Sequence, residues 1–447
     1  MNRTRLPLIG LLTFTMVAAA QAADRPHNTP PEGFTNLFAG KTLEGWHGRK
    51  GTYSPYAEAQ LSKEDHEKAQ ADWNADMAKH WSVDTAKGEI VSDGHGVYLA
   101  TEKDYGDMEM WVDWLMVSHN GDSGIYLRSV PQIQIWDPEN PREVKNGAPK
   151  GSGALWNDNA DNPGKWPLVK ADNPVGSWNT LHIKMVGSRV WVWLNDKQTV
   201  DGQILDNFFD RSRPIRLRGP VELQTHGSEI RFRDIYIREI GSDEANQALE
   251  KQVGKEGYKS VFNGKDFEGW GGPIENYEVK DGAIVCKPHK GGTIHTNEEF
   301  SDFEVKVEFK LPPGGNNGLA IRYPGTGDTA YVGMCELQIL DDTDPKYSKL
   351  DPRQYCCSIY GSVPAKTGYL RPLGDWNFEH AIINGHTIKV ELNGYTVVDA
   401  DVSTVKEFMH NSKHPGLMRT SGSFGFAGHS DPVQFRNIEI KKLEAGK

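Results

Sequence analysis

The stretch ELQILDD, from Glu336 to Asp342, places a carboxylate and an amide two residues apart. In an extended strand such residues stand on one face, so Glu336 and Gln338 would meet a ligand together. Glu336 could take or give a proton, and Gln338 could hold a hydroxyl or carbonyl by hydrogen bonds. Arg322, in GLAIRY, could polarise a carbonyl or bind hydroxyls. His429 titrates near neutral pH and could serve as acid or base. Asp341 closes the strand with a second carboxylate. Structural roles compete with these: a salt bridge between Glu336 and Arg322, and a turn in which His429 bonds only backbone.

The same set occurs earlier in the chain with altered letters: Arg128, Gln132, Gln134, Asp137 and His226. Gln132 stands where Glu336 would be, and an amide cannot act as a general base. If Glu336 is the base, the first set has lost that mechanism. Two oxygen-rich loops, Trp156–Gly164 and Asp341–Pro352, could bind calcium. Neither has EF-hand spacing, and solvated acidic loops explain them equally, so no metal is expected. No glycine-rich loop follows a strand and opens a helix, so no dinucleotide cofactor is indicated.

The doubling has a simple origin. NLFAGKTLEGWHG (36–48) is nearly repeated as SVFNGKDFEGWGG (260–272). GDSGIYLRS matches GNNGLAIRY, PQIQIWD matches CELQILD, and GSWNTLHIKMVGSRVWVWLND matches GDWNFEHAIINGHTIKVELNG. THGSEIRFRDIYIREI matches GHSDPVQFRNIEIKKL, all in the same order. Each half is thus a complete domain, 33–241 and 257–443. Self-similarity on this scale means duplication of a whole unit.

The elements that must hold these residues are strands. MEMWVDWLMV and FEVKVEFKL alternate with period two. Turn pairs at Asn384-Gly385, Asn393-Gly394 and Gly187-Ser188 punctuate hairpins. Many short strands with glycine-rich turns predict an all-β sandwich or jelly roll. Residues 53–80 have no counterpart in the second half. Ser62 followed by Lys63, Glu64 and Asp65 reads as a helix start, giving a helical insertion. Between the halves, 242–256 reads as a linker helix with Ser242 as N-cap and Gly254 at its end.

Composition narrows the class. The chain has 447 residues, a net charge of −11, 47 glycines and 13 tryptophans. The negative charge argues against nucleic acid or an anionic membrane as partner, and the aromatic content suits neutral ligands such as sugars. Arg3 and Arg5 precede an apolar run ending at Ala20-Gln21-Ala22, which reads as a signal peptide over 1–22. The mature chain would be periplasmic or secreted, with no membrane span. Cys286, Cys335, Cys356 and Cys357 match no zinc pattern. Buried thiols are the plainer expectation, with a bond from Cys335 to Cys356 or Cys357 as the alternative.

Together VFNGKDFEGW, GLAIR, ELQILD, GDWN and the closing GH…VQFRNIEI resemble the 3-keto-disaccharide hydrolase domain family, over nearly all of both halves. The resemblance implies two tandem concanavalin-like jelly rolls and action on glycosides whose sugar carries a ketone at carbon 3. It implies Glu336, His429, Arg322 and Asp341 as catalytic candidates. Gln338, Arg128, Gln132, Gln134, Asp137, His226, Trp136 and Trp156 would bind substrate. The ketone would be made by a separate sugar 3-oxidoreductase. A lectin-like, non-catalytic carbohydrate-binding protein is the alternative, suggested by Gln132 and by eleven of the thirteen tryptophans preceding the linker. A glucanase of the same fold ranks last, since neither QIQIWD nor ELQILD alternates acidic residues.

Overall fold

The computed structural model describes residues 26–444; the expected signal peptide over 1–22 lies outside them. In each half an eight-stranded sheet packs on a five-stranded one. The five-stranded sheet of the first half runs Trp46–Arg49, Tyr98–Thr101, Val221–Leu223, Asp122–Leu127, Val130–Trp136. That of the second runs Trp270–Gly271, Gly291–Phe300, Gly422–His429, Asn316–Tyr323, Cys335–Leu340. The two orders correspond strand for strand, and their pairings are antiparallel.

Alternation decides what each sheet buries. One row across the second sheet is Ile294, Phe426, Leu319 and Leu337, all solvent-inaccessible in the sandwich core. The matching row of the first is Leu99, Leu223, Ile125 and Ile133. Each such side chain contributes roughly 1.5–3 kcal/mol by leaving water. Phe426 stacks on Phe435 of the facing sheet at 3.9 Å and on Trp270 at 5.5 Å. The intervening residues face outward, and they build the site.

Helix Lys63–His80 occupies the unmatched segment, and the Ser62 side chain caps it by accepting from the Asp65 amide. It lies against the edge strand Trp46–Arg49. Asn74 Oδ1 accepts from the Gly48 amide at 2.9 Å, and Gln70 Nε2 donates to the Gly48 carbonyl at 2.8 Å. An otherwise open strand edge is covered in this way.

Helix Ser242–Val253 joins the halves. Its N-cap is Gly241, not Ser242, which is already helical. Ala245 and Leu249 are buried with Val186, Trp191 and Phe378, so the helix packs on both domains. Trp191 and Trp193 therefore pack outside the sandwich core, against this helix; Trp193 also stacks on His182. Arg189 pairs with Glu391 across the halves at 2.7 Å. In the second half the Asn393-Gly394 turn has both residues at positive φ, as a type I′ hairpin requires. The other expected turn shifts by one residue, since Asn384 pairs with Thr387 and leaves Gly385 and His386 at the tip. All four cysteines are buried free thiols, with the Cys356 and Cys357 sulfurs 3.9 Å apart.

Candidate active site

A cavity of ≈ 210 Å³ opens on the outward face of the second five-stranded sheet. Glu336 and Gln338 stand side by side in it, as strand alternation requires, and His429 reaches it from the end of Gly422–His429. His429 Nε2 lies 3.8 Å from Glu336 Oε1. That is too long for a hydrogen bond but close enough for an ion pair. Burial pushes the Glu336 carboxyl above the usual carboxylate range, and the nearby imidazole offsets this only in part. The Glu336 carboxylate in turn raises the His429 imidazole. Gln338 Nε2 donates to Asn316 Oδ1 at 2.7 Å, which fixes the amide beside the acid.

Small residues make the space. Gly318 and Ala320 on the neighbouring strand, then Gly425 and Ala427 on the next, occupy the outward positions beside Gln338 and Glu336. A Cβ on Gly318 would stand 2.1 Å from Glu336 Oε1. The far wall comes from segments between strands: Tyr331 in the short helix Thr329–Val332, Asp328 as its N-cap, Gln354 at the end of the 3-10 turn Pro352–Gln354, and Tyr360. Gln354 Nε2 donates to the Tyr360 hydroxyl at 3.0 Å.

The first half has the same frame with a different filling. Register puts Tyr126 where Ala320 stands, Glu222 at Gly425, Gln224 at Ala427 and Tyr98 at Thr293. These large polar side chains are buried and bonded among themselves: Gln224 Nε2 donates to Tyr98 Oη at 2.8 Å, and Arg49 Nη1 to Glu222 Oε1 at 3.0 Å. Glu58 of the insertion closes over Arg49 at 2.6 Å. Gln132 Nε2 donates to Gln134 Oε1 at 2.6 Å, and Gln134 Nε2 to Asp122 Oδ1 at 2.6 Å. Asp122 Oδ2 lies 3.1 Å from His226 Nδ1 and raises that imidazole. A carboxylate–histidine pair thus exists here too, with the acid supplied from the Asn316 position rather than the Glu336 position.

Four expectations require correction. Arg322 does not meet ligand: it is 1% exposed and donates to the Ser301, Gly385 and Arg419 carbonyls and to Asp302 at 2.7 Å. Nor does it pair with Glu336. Arg128 is likewise fully buried, donating to the Arg216 carbonyl, to Asp107 and to Tyr395 Oη. Asp341 accepts from the Gly314 and Thr343 amides and the Thr343 hydroxyl, so it shapes a turn. Asp137 does the same with the Asn120 and Glu139 amides and with His119.

The tryptophans are not open platforms. Trp136 is 3% exposed and its indole donates to the Gly151 carbonyl. Trp156 meets it edge-on at 6.0 Å and donates to the Asn146 carbonyl. In the Trp156–Gly164 loop the Lys165 ammonium lies 2.6 Å from the Trp156 carbonyl and 2.9 Å from that of Asp158. A cation of the protein itself sits there.

Sequence reasoning missed Asp122, Asp328, Tyr331 and Tyr360. Asp122 was legible only as the acidic letter in GDSG opposite the Asn of GNNG. The others lie between strands, Asp328 and Tyr331 at and in the short helix Thr329–Val332, in segments with no match in the first half.

The 3-keto-alpha-glucoside-1,2-lyase-like domain model matches residues 33–238 and again 257–441. The chain belongs to this family, with two copies of the domain. A protein named 3-keto-disaccharide hydrolase, from Bacteroides thetaiotaomicron, is 25% identical over 238 residues, covering 44% of this chain and 82% of that one. Two crystal structures from Parabacteroides distasonis, provisionally assigned as glycosyl hydrolases, are 26% and 29% identical to this chain. Each covers 42% of this chain, and 95% and 99% of their own, both with a TM-score of 0.38. The Bacteroides relative thus corresponds to about one of the two copies. Among the described residues no helix is long and apolar enough to cross a membrane.

Proposed function

We propose that the chain is an exported enzyme that cleaves 3-keto-glycosides, with proton transfer in the pocket of its second domain. The observation that carries this reading is Glu336. It is a carboxylate raised by burial, in a walled cavity beside His429, in a chain of the 3-keto-alpha-glucoside-1,2-lyase-like family.

The chemistry follows from the ketone. It acidifies the proton on carbon 2, and the Glu336 carboxylate removes it. The electron pair forms the carbon 1–carbon 2 double bond as the bond from carbon 1 to the aglycone oxygen breaks. Protonated His429 gives its proton to that oxygen. Tyr331, Tyr360 and the Gln338 amide are neutral donors for the enolate oxygen. The product is a 2-hydroxy-3-keto-glycal. Water adding across its double bond gives the free 3-keto sugar and net hydrolysis; release before hydration is the lyase outcome. The reading uses no metal, and a separate oxidoreductase supplies the ketone.

In the first domain, Gln132 and Gln134 would hold polymer or aglycone without turning it over. The amide at Gln132, where the second domain carries Glu336, and the side chains that fill the outward face support a non-catalytic role for this copy. Incubating the purified full chain with a 3-keto-disaccharide in deuterated water should release 3-keto sugar or its glycal, with no cleavage of the parent disaccharide. Solvent deuterium at carbon 2 marks elimination followed by hydration. No product from any 3-keto-glycoside overturns the reading.

A further inference from the structure

A second cavity is larger than the one holding Glu336. It lies between the two domains, with a volume of ≈ 530 Å³. Ligand sites commonly have volumes of about 300–1,000 Å³ and form at domain interfaces. Both halves build this one. Asp107, Leu217 and Arg218 come from the first, Arg371, Leu373 and Asp375 from the second, and Gly241 and Ser242 from the connector.

The wall combines apolar side chains with convergent charged and polar groups. Leu217 is 37% exposed and Leu373 43%, one from each domain. Within the wall, Arg371 is nine-tenths buried. Its Nη1 donates to the Ser242 and Trp376 carbonyls, at 3.1 and 2.7 Å, and to Asn246. Its Nη2 has no hydrogen-bond partner. The nearest carboxylate oxygen, Asp107 Oδ2, is 3.8 Å away. That separation is beyond hydrogen-bond distance. Asp107 Oδ1 is already taken by the Gly187 amide at 2.8 Å and by Arg128. A buried guanidinium nitrogen without an acceptor is costly. One oxygen at about 2.9 Å from both atoms would span the gap, accepting from Nη2 and donating to Oδ2.

The charges decide the ligand class. Four carboxylates face the cavity, Asp107, Glu239, Asp341 and Asp375, against two guanidiniums, Arg218 and Arg371. Arg218 is already bound to Glu239. An anion would meet a net negative wall. A cation would leave Nη2 without its acceptor. A hydroxyl supplies both the acceptor and the donor, and the apolar side chains of the wall suit the carbon face of a sugar ring. We propose that this cavity is a second saccharide site, separate from the Glu336 pocket, that takes a neutral polyhydroxylated ligand bridging Asp107 and Arg371.

The test uses the full chain carrying Glu336→Gln, so that turnover plays no part. Glucose, maltose, cellobiose, glucuronate and glucosamine are titrated by calorimetry up to ~10 mM and soaked into crystals. A neutral sugar should occupy the cavity with a hydroxyl between Asp107 Oδ2 and Arg371 Nη2. Leu217→Trp, at a half-exposed mouth position that should still fold, should weaken that binding about tenfold or more. Circular dichroism checks the fold of the variant. Glucuronate or glucosamine binding more tightly than glucose would overturn the ligand class. Sugar binding that survives Leu217→Trp, or only water in the cavity after every soak, would overturn the site.

Discussion

Glu336 and His429 stand 3.8 Å apart, Oε1 to Nε2, and each shifts the proton affinity of the other. Burial lifts the Glu336 carboxyl, and that carboxylate lifts the imidazole. The proposed chemistry needs Glu336 ionised and His429 protonated. Activity should therefore fall at low pH as Glu336 gains a proton above the ordinary carboxylate range. It should fall again at high pH as His429 loses one above the ordinary histidine range. In His429→Ala the offsetting cation is gone, so the acidic limb of kcat/KM should move to higher pH and the alkaline limb should vanish. An acidic limb that stays in place would mean the two groups are not coupled.

Gly318 is the space in which Glu336 turns. Alanine there would bring Cβ to 2.1 Å from Oε1, so the carboxylate must swing away. Turnover should drop about tenfold or more, since misplacement on the ångström scale costs that much. Gly124→Ala is the matched control, with Cβ 2.7 Å from Gln132 Cγ. It should leave turnover nearly intact. Equal losses in the two variants would remove the distinction between the domains.

Arg322 is a clamp, so its loss should read as stability. Replacing it with methionine leaves Asp302 only the Gly385 amide, and removing one partner of a buried pair costs about 3–5 kcal/mol. Arg322→Lys should lower Tm and leave KM unchanged, since the side chain is 1% exposed. A raised KM with an unshifted Tm would return Arg322 to the site.

Glu379 gives a pH dependence unrelated to turnover. It is fully buried, neither carboxyl oxygen has an oxygen or nitrogen donor, and burial pushes it up to about 8, offset only in part by the nearby Cys357 thiol. Between its unfolded value near 4.5 and about 8 the folded chain holds a proton that the unfolded chain has lost. The contribution is thus fully present at low pH and is lost as pH rises through that window, by up to ~1.4 kcal/mol per pH unit. Glu379→Gln should flatten the fall in chemical-denaturation midpoint between pH 5 and 8, about the window set by the raised value. An unchanged slope would show that Glu379 does not carry it.

Much of the fold and part of the site were legible because strand alternation and duplication are strong signals. Glu336, Gln338 and His429 converge as the two-residue period predicts. Arg322 and Arg128 do not, although alternation would put them on the same face as Gly318 and Gly124. Arg322 has positive φ, 48°, at a register shift inside its strand, where a bulge re-aims the side chain. Arg128 lies past the end of its strand, in a two-residue hairpin turn with Ser129 in which both residues have positive φ, 54° and 57°, so alternation no longer applies to it. Nothing in GLAIR announces the bulge, and nothing in GIYLRS announces a turn without glycine or asparagine. Asp341 and Asp137 looked chemical because a carboxylate ended each strand; both proved to hold backbone amides. Asp328, Tyr331 and Tyr360, in the short segments between strands, are placed by tertiary contacts with no periodic trace in sequence.

Assignment of proton transfer to the second domain is tested most directly by turnover of a 3-keto-disaccharide. Glu336→Gln and His226→Ala are measured side by side with the parent chain. Glu336→Gln should lower kcat by roughly a hundredfold or more, the scale of a lost general base. His226→Ala should leave kcat near the parent value, as should Gln132→Ala, which should act mainly on KM. If His226→Ala abolishes turnover while Glu336→Gln preserves it, catalysis belongs to the Asp122–His226 pair and the assignment is reversed.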